Sequence, residues 1–477
     1  MPKEIFTGQQ GLSKTIKNDG SKYSVGLNID PFREYGFLRN SFLSSAVTGT
    51  LDSSVVDGVT NNSGTTYLIT TGKVFSMDAG NGVATSFRDF SGAGIGDGAS
   101  IVSYAVKVGG TLYDGLFYMG STKAGLHYYS GGDQFDDDWL STVPAGAASF
   151  NGGSGYAYHP YIIWQNFLMI GDGNSVIKFD GQNGANGTYT DNWFEVGANW
   201  YVRHFFKYQN YLGVVVKDLY NKQSEILLID GSSSTLANKR INIKENIVSV
   251  ANIGNDVIFV TSDIKSGVFI KSLGDNGLET LYEIKIENDT TTGSLLSYTQ
   301  SGVYDVYDNK IAFACKDGTS WNIFVFGRKD ESSPYILYKP FKATGQNISM
   351  IRWLSTGFLY VSSYTTTTYY VQTFSTGNST ATLKHTFKDF GQKVRINYVK
   401  FYFKTLASGD SLTVGVDTDY DTSNSLGTIT YTTDGAVTSK RFNFVKHCHA
   451  FRPTIAWTAG GASISKIVVD YDFVDDI

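Results

Sequence analysis

The sequence predicts an all-β fold, a β-propeller of seven four-stranded blades followed by a C-terminal antiparallel β-sandwich, and three observations carry that prediction. Glycine is abundant and proline scarce, with 52 Gly against 7 Pro in 477 residues. Turns built on Gly, Asn, Asp and Ser are those of many short strands meeting in tight hairpins. A hairpin with a strongly apolar first strand recurs seven times at near-even spacing, and past residue 390 the pattern changes to alternation of apolar and polar residues. Apolar residues at 41% and aromatics at 14% exclude a disordered chain, which could not bury that much apolar surface.

Three segments follow, an N-terminal arm over 1–50, a propeller over 51–390 and a sandwich over 391–477. The arm contains GLNIDPFREYGFLRNSFLSS (26–45), where Pro31, Gly36 and clustered polar residues argue against a long helix. It either adds a strand to the last blade or reaches a neighbouring subunit.

In the propeller, the hairpin copies align on Leu68, Phe117, Leu168, Leu212, Ile258, Ala312 and Leu359, at steps of 44 to 54 residues. A strand-like segment precedes each hairpin, such as WYVRHFFKYQ (200–209), and a shorter one follows, such as KRINI (239–243). Four strands in roughly 50 residues is the unit of a propeller blade. The two strands nearest the axis are covered on both faces and are expected to read as continuous apolar runs, as Val214-Val215-Val216 and Ile258-Phe259-Val260 do.

The sandwich segment opens with KVRINYVKFYFKTL (393–406), where Val399, Phe401 and Phe403 alternate with Lys400, Tyr402 and Lys404. Further strands are expected from 411, 427, 439, 449 and 464, six in all, each bounded by turn residues.

The remaining totals exclude function classes. A formal net charge of −5 lacks the basic footprint of a dedicated nucleic-acid binder. Cys315 and Cys448, 133 positions apart and without a CxxC, make neither a disulfide framework nor a zinc ribbon, which fits a reducing cytoplasm. No signal peptide opens the chain, and no apolar run is long enough to span a membrane.

Seven features of the sequence are candidates for chemistry. His447 and His449 flank Cys448 at the i, i+2 spacing that metal sites on strands use, without a third ligand nearby. Asp417, Asp419 and Asp421 imitate the start of a calcium loop, but Thr422 stands where Gly is needed and Thr428 where a bidentate Glu belongs. Among nine Glu, those at Glu195, Glu225, Glu245, Glu279 and Glu283 read as outer-strand residues, and Asp136-Asp137-Asp138 reads as a solvated turn. KDGTSW (316–321) imitates the Asp-box of sialidases only superficially. His127, His159, His204 and His385 have no nucleophile motif beside them. DGNS (172–175) and DGQNG (180–184) read as hairpin turns, since no helix follows to bind phosphate. The hairpin tips, Thr71-Gly72 and Asp317-Gly318 among them, share no side-chain chemistry, unlike a lectin that repeats one site per blade. The sequence therefore assigns no catalytic, cofactor-binding or metal-binding residue and no cofactor.

The opening GLNIDPFREYGFLRNSFLSS and the ending DFGQKVRINYVKFYFKT through SGDSLTVGVDTD to SKIVVDYDFV resemble virion proteins of tailed bacteriophages, above all the nozzle or tail tubular B family. The resemblance covers about 50 N-terminal and 90 C-terminal residues by pattern. It implies a non-enzymatic tail, neck or muzzle subunit in a ring-shaped homo-oligomer at the DNA exit channel. It further implies assembly in the host cytoplasm, contact with other tail or portal-adaptor proteins and non-specific contact with the genome. The chain is shorter than the nozzle family, with little room for channel-lining platforms. A receptor-binding propeller for a host-surface glycan or protein is the runner-up reading, and a polysaccharide-degrading glycosidase the third.

Overall fold

The computed structural model describes residues 2–7, 23–27, 29–30, 38–39, 43–47, 51–77, 84–139, 150, 159–181, 189–218, 223–263, 267–274, 277–284, 303–317, 320–354, 357–365, 368–376, 378–420 and 422–474. It is all-β, with seven four-stranded sheets forming the propeller blades and a further C-terminal sheet. The strands of blade one are Asp57–Thr60, Thr66–Ile69, Lys73–Met77 and Ala84–Asp89. Blades two to six span 98–136, 161–195, 200–243, 246–284 and 304–344, each with its strands hydrogen-bonded in sequence order.

Blade seven is made differently. Asn347–Leu354, Phe358–Tyr364 and Tyr369–Thr376 supply three strands, and Leu43–Ala46 from the N-terminal arm supplies the fourth. The Val47 N–H donates to the Val371 carbonyl at 2.7 Å just past that strand. Of the two roles open to the arm, completion of the last blade is the one observed.

The second strand of each blade explains the repeat in the sequence. Leu212, Val214, Val215 and Val216 are fully buried in blade four, and Leu168, Met169 and Ile170 in blade three. Facing blades interdigitate there: Met169, Val176 and Phe194 pack with Val202, Val214 and Leu227. Each such side chain contributes on the order of 1.5–3 kcal/mol by leaving water. The innermost strand of blade four, Trp200–Tyr208, is buried along most of its length as expected, but that of blade six departs from the apolar run. Tyr304–Tyr307 reads YDVY and is at most half-buried, because its edge meets the axial cavity and not the face of another sheet.

The C-terminal part is one continuously hydrogen-bonded antiparallel sheet of eight strands, in the order Lys3–Phe6, Ile464–Phe473, Lys388–Phe403, Ser439–Ala459, Ala381–His385 and Tyr23–Leu27. Ser411–Thr418 pairs with both Ser439–Ala459 and Thr422–Thr430. The two strands expected from 439 and 449 are one of 21 residues. Its first half pairs with Lys388–Phe403, and its second half lies between Ala381–His385 and Ser411–Thr418. A long bent strand of this kind lets one sheet enclose its own core, where Phe6, Phe401, Phe451, Trp457 and Ile467 are buried. No helix among the described residues is long and apolar enough to cross a membrane.

Candidate functional site

The innermost strands of blades one, six and seven line a cavity of about 460 Å³ at the propeller axis, which Tyr161 of blade three also reaches. That volume falls within the roughly 300–1,000 Å³ of small-molecule sites. Its wall combines Tyr161, Tyr304, Tyr307 and Trp353 with two charged groups, Asp305 and Arg352.

Arg352 organises the polar part. Its Nε donates to Asp57 Oδ1 at 2.8 Å, and its Nη1 donates to the Tyr304 carbonyl. Asp57 is completely buried and accepts three bonds. Beside Arg352, Oδ1 takes the Gly58 N–H at 2.8 Å and Oδ2 takes the Ile101 N–H at 3.0 Å. Burial raises the Asp57 pKa above the ordinary carboxylate range, and the Arg352 charge and these N–H groups only partly counter it. With its oxygens occupied, Asp57 acts as an anchor for Arg352.

Asp305 differs in being half-buried and on the cavity wall. Its Oδ2 accepts the Trp353 N–H at 2.8 Å. Desolvation raises its pKa; Arg352 and the Trp353 and Val306 N–H groups pull against that shift, and the nearby Asp57 charge adds to it. Two carboxyl groups close enough to feel each other, in a poorly solvated site, favour keeping a proton on one of them.

Around them the aromatics are fixed. His204 Nδ1 lies 3.0 Å from the Tyr304 hydroxyl, with the rings edge to face at 5.3 Å. Burial, with the Arg203 and Lys217 charges, holds the His204 pKa well below the ordinary imidazole value. The Tyr161 hydroxyl donates to the Ile101 carbonyl at 3.0 Å. Tyr307 and Trp353 face each other at 6.2 Å, and Tyr307 is 45% exposed. Gly357 has φ +81°, and a Cβ there would meet the Tyr307 ring at 2.6 Å, so the ring rests on backbone that only glycine supplies at this position.

The residues that the sequence singled out lie elsewhere. His447 and His449 are exposed on either side of buried Cys448, whose thiol pKa burial pushes up to about 12. Among the described residues no group of three or more His, Cys, Asp or Glu could hold a metal ion. Asp417 is committed to Arg452, Lys384 and the Ser423 hydroxyl, Asp419 accepts the His449 N–H, and Asp421 lies outside the described residues. Glu225 pairs with Arg240 and Glu245 with Lys271, while Glu195 and Glu279 are exposed; with Glu283, none of them lines the cavity.

The solvated-turn reading of Asp136-Asp137-Asp138 needs correction. Asp137 takes a two-pronged bond from Arg88 of blade one and the Tyr118 hydroxyl of blade two, and Asp138 pairs with Lys123. His127 bonds Asp133 at 2.9 Å, His385 packs edge-on against Phe6, and His159 stacks on Phe150 at 3.9 Å.

Sequence reasoning missed Asp57, Asp305 and Arg352. Their signal was available in one form: a single charged residue interrupting the innermost strand, just ahead of the apolar hairpin.

No protein-family model and no curated protein matches the sequence. Solved structures do match. An exo-β-1,3-galactanase from Phanerochaete chrysosporium is similar at 9% identity over 65% of this chain and 95% of that one, with a TM-score of 0.28. A glycoside hydrolase is similar at 11% identity over 90% and 100%, with a TM-score of 0.26. A prolyl endopeptidase is similar at 9% identity over 76% and 54%, with a TM-score of 0.36. At these values the likeness is one of fold alone.

Two expectations are corrected at this point, that the chain is a virion ring subunit acting by assembly and that it is not an enzyme. The three structures just described are an exo-β-1,3-galactanase, a glycoside hydrolase and a prolyl endopeptidase. The physical reason lies in this chain itself. The acids that stand out in the sequence are glutamates and one aspartate run, whereas the acids at the axis are single aspartates 248 positions apart, each of which reads as a turn residue in its own stretch.

Proposed function

We propose that the protein is a glycoside hydrolase whose active site is the axial cavity, with Asp305 as the proton donor. One observation carries this reading: a half-buried carboxyl with a raised pKa stands in an aromatic-walled cavity beside an arginine that a second, fully buried carboxylate holds in place.

Cleavage of a glycosidic bond needs an acid that is still protonated near neutral pH to hand its proton to the leaving oxygen. Desolvation and the Asp57 charge push Asp305 in that direction. Water adds hydroxide to the anomeric carbon, and the remaining proton returns to Asp305 through solvent, so the enzyme is restored. Arg352 sets the field in which Asp305 titrates, and Asp57 positions Arg352. The aromatic wall suits sugars, whose ring carbons present apolar C–H faces and whose rims present hydroxyls.

The test is release of new reducing ends from a panel of polysaccharides by the full chain and by Asp305→Asn. The wild type is expected to cleave at least one of them, and the variant to lose about 10²–10⁴-fold in rate with unchanged folding. A wild type that cleaves nothing, or a variant that keeps its rate, defeats the reading. Binding without cleavage would make the cavity a saccharide receptor instead.

We further propose, on the resemblance of residues 26–45 and 389–474 to tailed-phage proteins, that the protein is carried on a virion and associates with itself. Mass spectrometry of purified particles tests this, and absence of the chain from them rejects it.

A further inference from the structure

We infer that Tyr307 forms a second sugar subsite, a stacking platform one ring away from Asp305, and that the substrate is therefore a chain of linked pyranose units and not a simple monosaccharide glycoside. This rests on the reading of the axial cavity as a glycosidic site.

Asp305 and Tyr307 are two residues apart on one strand, so their side chains leave it on the same side, roughly 6–7 Å apart along it. That is the scale of one sugar ring. Tyr307 is 45% exposed although it borders a cavity whose other tyrosines are half-buried, so a large apolar surface is left in water at the mouth. The ring is nonetheless backed on one side. Gly357 backs it in a conformation no other residue takes without strain, and a Cβ at that position would collide with it at 2.6 Å.

The platform is also tied to the acid. Trp353 gives its backbone N–H to Asp305 and its ring faces Tyr307 at 6.2 Å, so one residue fixes both the proton donor and the aromatic wall. A tyrosine ring has only two side-chain torsions to immobilise on binding, which favours an apolar contact with the C–H face of a pyranose. Contact energy gained away from the cleaved bond shows mainly in KM when substrate and transition state share it equally.

The experiment compares wild type, Tyr307→Ala, Tyr307→Phe and Tyr307→Leu on an oligosaccharide series, from dimer to hexamer, of whichever polysaccharide the full chain cleaves, and on the methyl glycoside of the same sugar. Tyr307→Ala and Tyr307→Leu are expected to raise KM on oligosaccharides at least about fivefold with kcat nearly unchanged. Tyr307→Phe, which keeps the stacking face, should bind the oligosaccharides as wild type does, and the KM rise in Tyr307→Ala should be larger on the oligosaccharides than on the methyl glycoside. Equal losses on the methyl glycoside and the oligosaccharides, a fall in kcat alone, or a preference for the methyl glycoside overturns the subsite while leaving the hydrolase reading intact. A wild type that cleaves no saccharide overturns both.

Discussion

Arg352 Nε and Asp57 Oδ1 lie 2.8 Å apart although 295 residues separate them in the chain. The pair joins the innermost strand of the last blade to that of the first, and the Ile101 N–H carries the connection on to blade two. It is therefore a tie across the seam of the ring as well as the support of the cavity. Removing the cation leaves a completely buried carboxylate without its partner.

For that reason Arg352→Ala is expected to lower unfolding free energy by about 3–5 kcal/mol. Urea denaturation measures it. A double-mutant cycle with Asp57→Asn should show strong coupling, since the second change removes the charge that the first left stranded.

Activity should fall on the alkaline side as Asp305 loses its proton, at a pH above the ordinary carboxylate value because its pKa is raised by burial. The flanking groups move that limb in opposite directions. Asp57→Asn removes a like charge and shifts the limb to lower pH, whereas Arg352→Gln removes the opposing cation and shifts it higher. A pH–rate profile of each variant reads the sign directly.

Stability should decline as pH falls from about 6.5 to 4. Burial lowers the His159 pKa to about 4 from the ordinary 6.5, so in this window the unfolded chain takes up a proton that the native state refuses. At about 1.4 kcal/mol per pH unit the loss amounts to roughly 3 kcal/mol. His204, also held low by burial, acts in the same sense. Denaturation at pH 7 and pH 4.5 should show the drop, and His159→Gln should flatten part of it.

Tyr118→Phe removes the hydroxyl that donates to Asp137 and leaves the Arg88 bonds in place. Loss of a hydrogen bond to a charged group is expected to cost about 1.5–3 kcal/mol. The urea midpoint should fall with an unchanged slope, because neither end state is reshaped.

The blades were legible in the sequence because their second strands are packed on both faces and so are written in Leu, Val, Ile and Phe, as at Val214-Val215-Val216. The innermost strand of blade six was less so. Tyr304–Tyr307 has a free edge at the axis, and YDVYDN reads locally as the approach to a turn. Asp57 is equally plain in DSSVVDGVT. What makes these residues a site is the closing of the ring, which brings positions 57, 305 and 352 together and which no local window contains. The acidic run at 136–138 failed for the same reason in reverse, since Arg88 lies 49 positions away from Asp137.

Completion of blade seven by Leu43–Ala46 also sets an order in time. During synthesis the closing strand is made before any blade and must wait, unpaired with its final neighbour, until about 330 further residues have been added. Blades one to six can each form from contiguous sequence, but the seam can shut only once the seventh hairpin is complete. Contacts of such long sequence separation form slowly. The late step in refolding is thus expected to be seam closure, and the axial cavity, whose walls come from blades on both sides of the seam, should gain its ligand-binding shape only then.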